Sequence, residues 1–271
     1  MKKIISSTSN PRIKHMRSLE HRQEREQTGQ FFIEGIRIVG EAVQMEAGVE
    51  TMVYAPDLLR SQFALDLVQT QQERGVLCLE VTPEVFKSLS AKDGPQGIAA
   101  VVKQRWERLE GIRLADELCW VALNEAQDPG NIGTILRTGD AVGSAGLILL
   151  GKSADPYDPV ALRASMGAVF SQRLVKASFA EFVYWKQDYT VIGTSGASTT
   201  NYRNVMYPRP VVLLMGSERQ GLSQEQQAVS DIVVSIPMVG RSDSLNLAVA
   251  TGVMLYELFH QSAASTNTKL V

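Results

Sequence analysis

The feature that most constrains the fold is a regular alternation of apolar runs and helical stretches after residue 117. Helical stretches, from GTILRTGDAVG to SLNLAVATGVMLYELFHQ, alternate with short apolar runs. These runs are CWVAL, GLILLG, RLVKA, TVIGTS, VVLLMG and IVVSIPM. Near-continuous apolar strands separated by helices indicate a parallel sheet covered on both faces. We therefore predict an α/β domain over residues 117–271, with any ligand beyond the carboxyl ends of the strands.

The residues before this domain predict a smaller α/β domain at 1–105. Ser9-Asn10-Pro11 supplies a cap and a first-turn proline for a helix over residues 10–27. FFIEG, TMVYAP, VLCLEVT and GIAAVV are typical of strands, with helical IRIVGEAVQM and PEVFKSLS among them. Residues 106–116, in the charged stretch RWERLEGIRLADE, are the predicted linker.

Charge is distributed unevenly along the chain. The net charge is −2, but residues 1–30 carry seven Lys or Arg against three Glu, a net of +4. A basic end on an acidic body is typical of a chain that binds nucleic acid, although a solvated basic helix would give the same pattern.

Composition excludes several other classes of protein. No apolar run is long enough to span a membrane and no signal peptide begins the chain, so we expect a cytoplasmic protein. The two cysteines favour free thiols over a disulfide. Three scattered histidines and the absence of a CxxC pair predict no metal site.

One short stretch matches the phosphate-binding loop pattern G-x-x-x-x-G-K-[ST]. Residues 146–153 read GLILLGKS, but the four positions between the glycines are strand-like leucine and isoleucine. Their N–H groups would be used in a sheet, and two prolines delay the next helix to about Pro159. We therefore reject a nucleotide hydrolase, and the absence of G-x-G-x-x-G also excludes an ordinary dinucleotide site.

Three polar, glycine-containing stretches follow apolar runs: LNEAQDPGNIGTILRTGDAVG, LLMGSERQGL and VVSIPMVGRSDSLNLAVATG. In the first, Asn131 is placed to cap a helix and Arg137 lies among small or apolar residues. In the second, Gly216 follows a strand and could let a ligand approach the backbone. In the third, Ser244 is placed to begin a long apolar helix.

Together these stretches resemble the three motifs of the SpoU/TrmH family, which are S-adenosylmethionine-dependent RNA ribose 2′-O-methyltransferases of the SPOUT class. The motifs are N-x-x-x-D-P-G-N-x-G-x-x-x-R-T, L-x-G-S-E-x-x-G-L and I-P-M-x-G-x-x-x-S-L-N-L-x-V-A. The first 105 residues resemble the substrate-binding domain that precedes many members. The resemblance implies a trefoil knot in the C-terminal domain, a small N-terminal RNA-binding domain and a homodimer.

The resemblance also implies the residues of the site. The cofactor S-adenosylmethionine would lie against Thr194, Gly216, Ile236, Met238, Leu245 and Asn246. The catalytic set would be Arg137, Asn131, Glu218, Ser244 and Asn246. The RNA contacts would be Lys14, Arg17, Arg22, Arg25 and Arg137. Because a guanidinium keeps its proton in proteins, we favour Arg137 as an orienter of the phosphate or hydroxyl over a general base.

The implied reaction is methyl transfer to a ribose 2′-hydroxyl of structured RNA. A separate front domain favours ribosomal RNA over transfer RNA, since a large structured target needs its own docking module. Transfer RNA, a base as methyl acceptor, and an inactive RNA-binding protein on the same scaffold remain alternatives.

Overall fold

The computed structural model describes residues 4–91, 93–115 and 117–267. The ends of the two predicted domains, residues 1–3 and 268–271, lie outside the described residues. The chain divides into two compact units. The first is Met1–Gln104 with Tyr157–Leu162, and the second is Arg105–Pro156 with Arg163–Val271. Among the described residues, no helix is both long and apolar enough to cross a membrane.

The first unit contains a four-stranded mixed sheet in the order β1-β4-β2-β3. Strand β4 pairs antiparallel with β1 and β2, and β2 pairs parallel with β3. Its elements are α1 (Pro11–Ser18), α2 (Arg22–Thr28), β1 (Gln30–Glu34), α3 (Ile36–Gln44), β2 (Val49–Tyr54), α4 (Gln62–Glu73), β3 (Leu77–Glu80), α5 (Pro83–Lys87) and β4 (Ile98–Lys103). Helix α4 has no counterpart in the sequence prediction.

The single helix predicted over residues 10–27 is wrong, because the chain turns between α1 and α2. Leu19 at this turn is buried in the core of the unit. The guanidinium of Arg25, 1% exposed, donates to the carbonyls of Leu19 at 3.0 Å and Glu20 at 2.7 Å. It also forms an ion pair with Asp158 at 3.3 Å. Arg25 therefore stabilises the turn between the helices.

The second unit contains six parallel strands in the order β10-β8-β9-β5-β6-β7. Its elements are β5 (Trp120–Asn124), α6 (Pro129–Val142), β6 (Gly146–Leu150), α7 (Pro159–Ser165), β7 (Arg173–Ala177), α8 (Phe179–Trp185), β8 (Thr190–Thr194), β9 (Val211–Met215), α9 (Gln224–Ala228), β10 (Ile232–Val234) and α10 (Leu247–Asn267). The six apolar runs are these six strands, so the predicted parallel α/β domain is confirmed. The knot stays a prediction.

The rejection of the phosphate-binding loop is also confirmed. Gly146–Leu150 is the buried strand β6, and the next helix begins at Pro159. A side chain at Gly146 would meet the Arg173 carbonyl oxygen at 2.0 Å, so this glycine allows close approach of β7. Gly146 therefore has a structural role in the sheet.

The core of the second unit includes residues from the segment predicted as a linker. Leu109 and Ile112 are buried there, and the indole of Trp185 donates to the Ile112 carbonyl at 3.3 Å. Cys119 is buried and, like Cys78, is a free thiol. Burial raises the pKa of Cys119 to about 12, which keeps this thiol protonated and unreactive.

Candidate active site

The carboxyl ends of β8, β9 and β10 lie side by side because the three strands are parallel neighbours. Thr194 ends β8 opposite Val234 of β10, and its hydroxyl contacts the Met215 sulfur of β9 at 3.5 Å. Gly216 follows β9, and Ile236 lies two residues beyond β10. The fold therefore brings together three residues predicted to bind the cofactor.

Gly216 is required by the loop that follows it. A side chain there would meet the backbone of Gly221 at 2.0 Å. Ser217 and Gly221 exchange backbone hydrogen bonds of 3.2 and 3.0 Å across the loop. The glycine thus lets this loop fold back on the end of β9, which fixes the position of Glu218.

The Glu218 carboxylate binds the start of the first motif. It accepts hydrogen bonds from the backbone N–H groups of Gln127, at 3.1 Å, and Asp128, at 3.2 Å, and from the Asn131 side chain at 3.3 Å. Burial raises the pKa of Glu218, but the donated hydrogen bonds together outweigh it, and the pKa lies below its usual value. The carboxylate is therefore held in its charged form.

Asn131 and Asn246 extend this network to the third motif. The Asn246 amide donates to the Asn131 carbonyl oxygen at 2.9 Å. The Asn246 oxygen accepts from Ala248 N–H at 2.9 Å and Val249 N–H at 3.2 Å, at the first turn of α10. One chain of hydrogen bonds thus joins Glu218, Asn131 and Asn246, one residue from each motif.

Both predicted helix caps are wrong. Asp128 caps α6 by accepting from Gly130 N–H at 2.7 Å, while Asn131 is buried in the first turn. Asn246 precedes α10 and binds its first N–H groups, while Ser244 is exposed and, among the described residues, its hydroxyl bonds only to Asp243, at 3.2 Å. Ser244 lies two residues before Asn246 in the chain, but among the described residues it makes no hydrogen bond to Asn246, Asn131 or Glu218.

Arg137 lies on α6, two turns beyond Asn131, with its side chain exposed. It makes no hydrogen bond or ion pair with the described residues. An arginine on a rigid helix, free of partners within the described chain, is available to bind an anionic ligand. This availability agrees with the role predicted for Arg137, which stays a prediction.

The segment 236–245 is irregular and presents unused backbone groups. Within the described chain its N–H and carbonyl groups make no hydrogen bonds. Met238 is 38% exposed and Leu245 is 39% exposed in the same segment. Apolar side chains beside free backbone donors and acceptors are what an uncharged purine requires. The residues therefore fit the adenosyl part of S-adenosylmethionine.

The predicted RNA contacts in the first unit differ in availability. Lys14 is exposed and has no side-chain partner among the described residues. Arg17 is exposed and donates to Ser88, and Arg22 is exposed and pairs with Glu26 at 2.9 Å. Arg25 does not fit the predicted role, because its guanidinium is buried and bonded to carbonyl groups.

The sequence reading missed Gln127. Besides its N–H bond to Glu218, its side-chain amide donates to the carbonyls of Glu125 at 3.1 Å and Lys152 at 2.6 Å. Gln127 thus fixes the loop before α6 against the loop after β6. No local pattern marks such a residue, whereas proline and glycine after Asp128 do mark that aspartate as a cap.

Comparison with known families assigns the second unit. Residues 119–256 match the model of the SpoU rRNA Methylase family. The chain belongs to this family. Residues 10–100 match an MRM3-like substrate binding domain, so both parts of the predicted resemblance are confirmed. Membership in the SpoU family makes the chain a methyltransferase.

The chain aligns with known relatives over nearly its whole length. It is 32% identical to the 23S rRNA (uridine(2479)-2′-O)-methyltransferase of Streptomyces viridochromogenes, covering 90% of this chain and 87% of that one. It is 28% identical to the 23S rRNA (guanosine(2553)-2′-O)-methyltransferase RlmP of Bacillus subtilis, covering 94% and 99%. A crystal structure of an AdoMet-bound rRNA methyltransferase from Sinorhizobium meliloti superposes with a TM-score of 0.88 at 36% identity, covering 95% and 97%.

Proposed function

We propose that this chain transfers a methyl group from S-adenosylmethionine to a ribose 2′-hydroxyl of 23S ribosomal RNA. The observation that carries the proposal is the hydrogen-bonded set of Asn131, Glu218 and Asn246, which joins the three motifs at the start of α6, the helix that carries Arg137. Two relatives named as 23S rRNA 2′-O-methyltransferases support the substrate class. Their names give different nucleotides, so we propose 23S ribosomal RNA as the substrate and no particular nucleotide.

Some residues of the site hold the cofactor, and others fix the elements that bind the cofactor and the RNA. S-adenosylmethionine supplies a methyl group on a positively charged sulfur, which is open to attack by an oxygen. The backbone of 236–245 and the strand ends at Thr194 and Gly216 hold and orient the adenosyl part. Asn131, Glu218 and Asn246 fix the positions of α6 and of the 236–245 segment. Alignment of the reacting atoms is the main contribution of such a site.

Arg137 binds the RNA beside the methyl acceptor. A guanidinium stays protonated in proteins, so it orients the phosphate or hydroxyl and stabilises the developing charge on the 2′-oxygen. Ser244, free of the hydrogen-bond network, is left to contact the ribose. The hydroxyl proton leaves to solvent or to the RNA phosphate beside Arg137.

Methyl transfer to RNA tests this function. We expect labelled S-adenosylmethionine to methylate ribosomal RNA from a strain lacking the enzyme, and digestion to yield nuclease-resistant dinucleotides. Arg137→Ala should lower the rate by about a hundredfold or more, with cofactor affinity unchanged within a few-fold. Arg108→Ala, an exposed arginine in the same unit, serves as the control.

Three other outcomes would replace the proposal. Labelling of transfer RNA alone would change the substrate, and a methylated base would change the acceptor. No methyl transfer to any RNA, with RNA binding retained, would indicate an inactive RNA-binding protein. Equal loss of cofactor binding in Arg137→Ala would place this residue in the cofactor site.

The active form is a homodimer that works in the cytoplasm, where ribosomal RNA is modified. The exposed apolar side chains on α10, with Val249 at 53% and Tyr256 at 54% exposed, support this form. Exposed apolar patches of this kind mark protein interfaces.

A further inference from the structure

The first unit contains a cleft of about 300 Å³ beside the N-terminal half of α1. Three neighbouring strands form its floor, because Thr51 of β2 pairs with Leu77 of β3 and with Val101 of β4. Met16 of α1 lines its wall. The surface inside is mostly apolar, and the size lies at the lower end of what small-ligand sites enclose.

One edge of the cleft is polar and ordered. His15 Nε2 bonds to the Gln30 side-chain oxygen at 2.7 Å, while the Gln30 nitrogen donates to Glu50. Since the Gln30 oxygen can only accept, His15 Nε2 carries the hydrogen and Nδ1 accepts when the ring is neutral. Nδ1 has no hydrogen-bond partner among the described residues. The cleft therefore offers a ring nitrogen that can accept a hydrogen bond beside an apolar floor.

The rim of the cleft carries a cation. Arg12 lines the cleft and is exposed, and Lys14 is exposed elsewhere on the same helix. Neither side chain has a hydrogen bond or ion pair within the described chain. Residues 1–30 carry a net charge of +4 in a chain whose net charge is −2. This charge is complementary to a phosphodiester backbone.

We propose that the cleft binds an unstacked nucleobase from a single-stranded part of the RNA, with the adjoining phosphate at Arg12. Proteins read single-stranded RNA by receiving splayed bases on apolar surfaces and bonding to their edges. A flat base suits the floor of Leu77, Thr51 and Val101, and its edge suits His15. The proposal rests on RNA being the substrate, and it names where part of that substrate docks.

A charge placed in the cleft tests the proposal. Leu77 is 43% exposed on the edge strand β3, so the fold should tolerate Leu77→Glu. The control is Leu65→Glu, which adds the same charge away from the cleft at a residue 39% exposed on α4. We expect Leu77→Glu to raise the KM for ribosomal RNA about tenfold or more, with kcat unchanged within about twofold. Leu65→Glu should change neither.

A second pair separates loss of the phosphate contact from loss of fold. Arg12→Ala should raise the same KM, whereas Arg74→Ala, at an exposed arginine at the end of α4 that does not line the cleft, should not. If each variant has the same KM as its control, the proposal that the cleft binds RNA is overturned. The proposed methyl transfer is not affected by that result. Changed sedimentation with unchanged KM would assign the cleft to a second copy of the chain and also overturn it.

Binding of short RNA keeps this inference separate from the proposed reaction. Fluorescein-labelled oligouridylate and oligoadenylate report binding by anisotropy without any methyl transfer. Weaker binding to Leu77→Glu than to Leu65→Glu supports the cleft even if no RNA is methylated. No difference between the two variants overturns it.

Discussion

At the scale of single residues, Glu218 joins two segments that lie 91 residues apart in the chain. Its carboxylate accepts from two backbone N–H groups and from Asn131, all at the entry to α6. These donors are fixed before any ligand arrives. Glu218 therefore acts as a positioning residue, whose contribution to the reaction passes through Asn131 and the helix that carries Arg137.

Replacing Glu218 with Gln should destabilise the fold at neutral pH. The amide nitrogen of Gln would face N–H donors, leaving at least one without an acceptor, at a cost of about 1–3 kcal/mol. Urea unfolding of the Glu218→Gln variant measures this loss. Glu225→Gln, at an exposed position on α9, should unfold like the original chain.

The stability of the original chain and that of the Glu218→Gln variant should also depend differently on pH. Because the pKa of Glu218 is lowered in the folded state, its stabilisation is complete above the ordinary carboxyl pKa and is lost as pH falls through the lowered value. The stability gap between the original chain and Glu218→Gln should therefore narrow on acidification. A gap that is independent of pH would mean that the charge of Glu218 does not support the network.

Individual roles were harder to predict from the sequence than the positions of the motifs. Arg25 was expected at the RNA surface because sequence shows charge and not burial, and its guanidinium instead binds the carbonyls at the turn before α2. The bond between Asn131 and Asn246 joins residues 115 apart, which no local pattern reveals. The motif resemblance did select both residues.

At the scale of secondary structure, strands were predicted better than helix ends. The apolar runs of the second unit are long and buried, so all six became strands. Helix ends depend on which side chain reaches the free N–H groups. Asp128 and Asn246 do so at α6 and α10, where Asn131 and Ser244 were expected.

The cap of α10 can be tested directly. Asn246→Ala removes an acceptor for two N–H groups and the donor to Asn131, so it should lower the free energy of unfolding by about 1–2 kcal/mol. Ser244→Ala should stay within about 0.5 kcal/mol of the original chain, because Ser244 is exposed. Urea denaturation compares them, and a larger loss for Ser244→Ala would restore the sequence prediction.

At the scale of the whole molecule, the regular rhythm of the sequence predicted the parallel sheet, and the joint order of three motifs predicted the family. Neither could supply the surface of the proposed homodimer. The exposed side of α10 carries Val249, Tyr256 and Phe259, and the rings of Tyr256 and Phe259 meet edge to face with centroids 6.4 Å apart. Apolar groups of this size are costly to leave in water.

A charge on this face should prevent the proposed dimer. Tyr256→Arg places a guanidinium in the apolar surface, whose desolvation opposes association, so this variant should sediment as a monomer at micromolar concentration where the original chain is a dimer. Phe63→Arg, at a residue 58% exposed on α4, controls for the added charge and should remain dimeric. If the original chain is itself monomeric at that concentration, the dimer proposal fails. If Tyr256→Arg stays dimeric, association uses another surface.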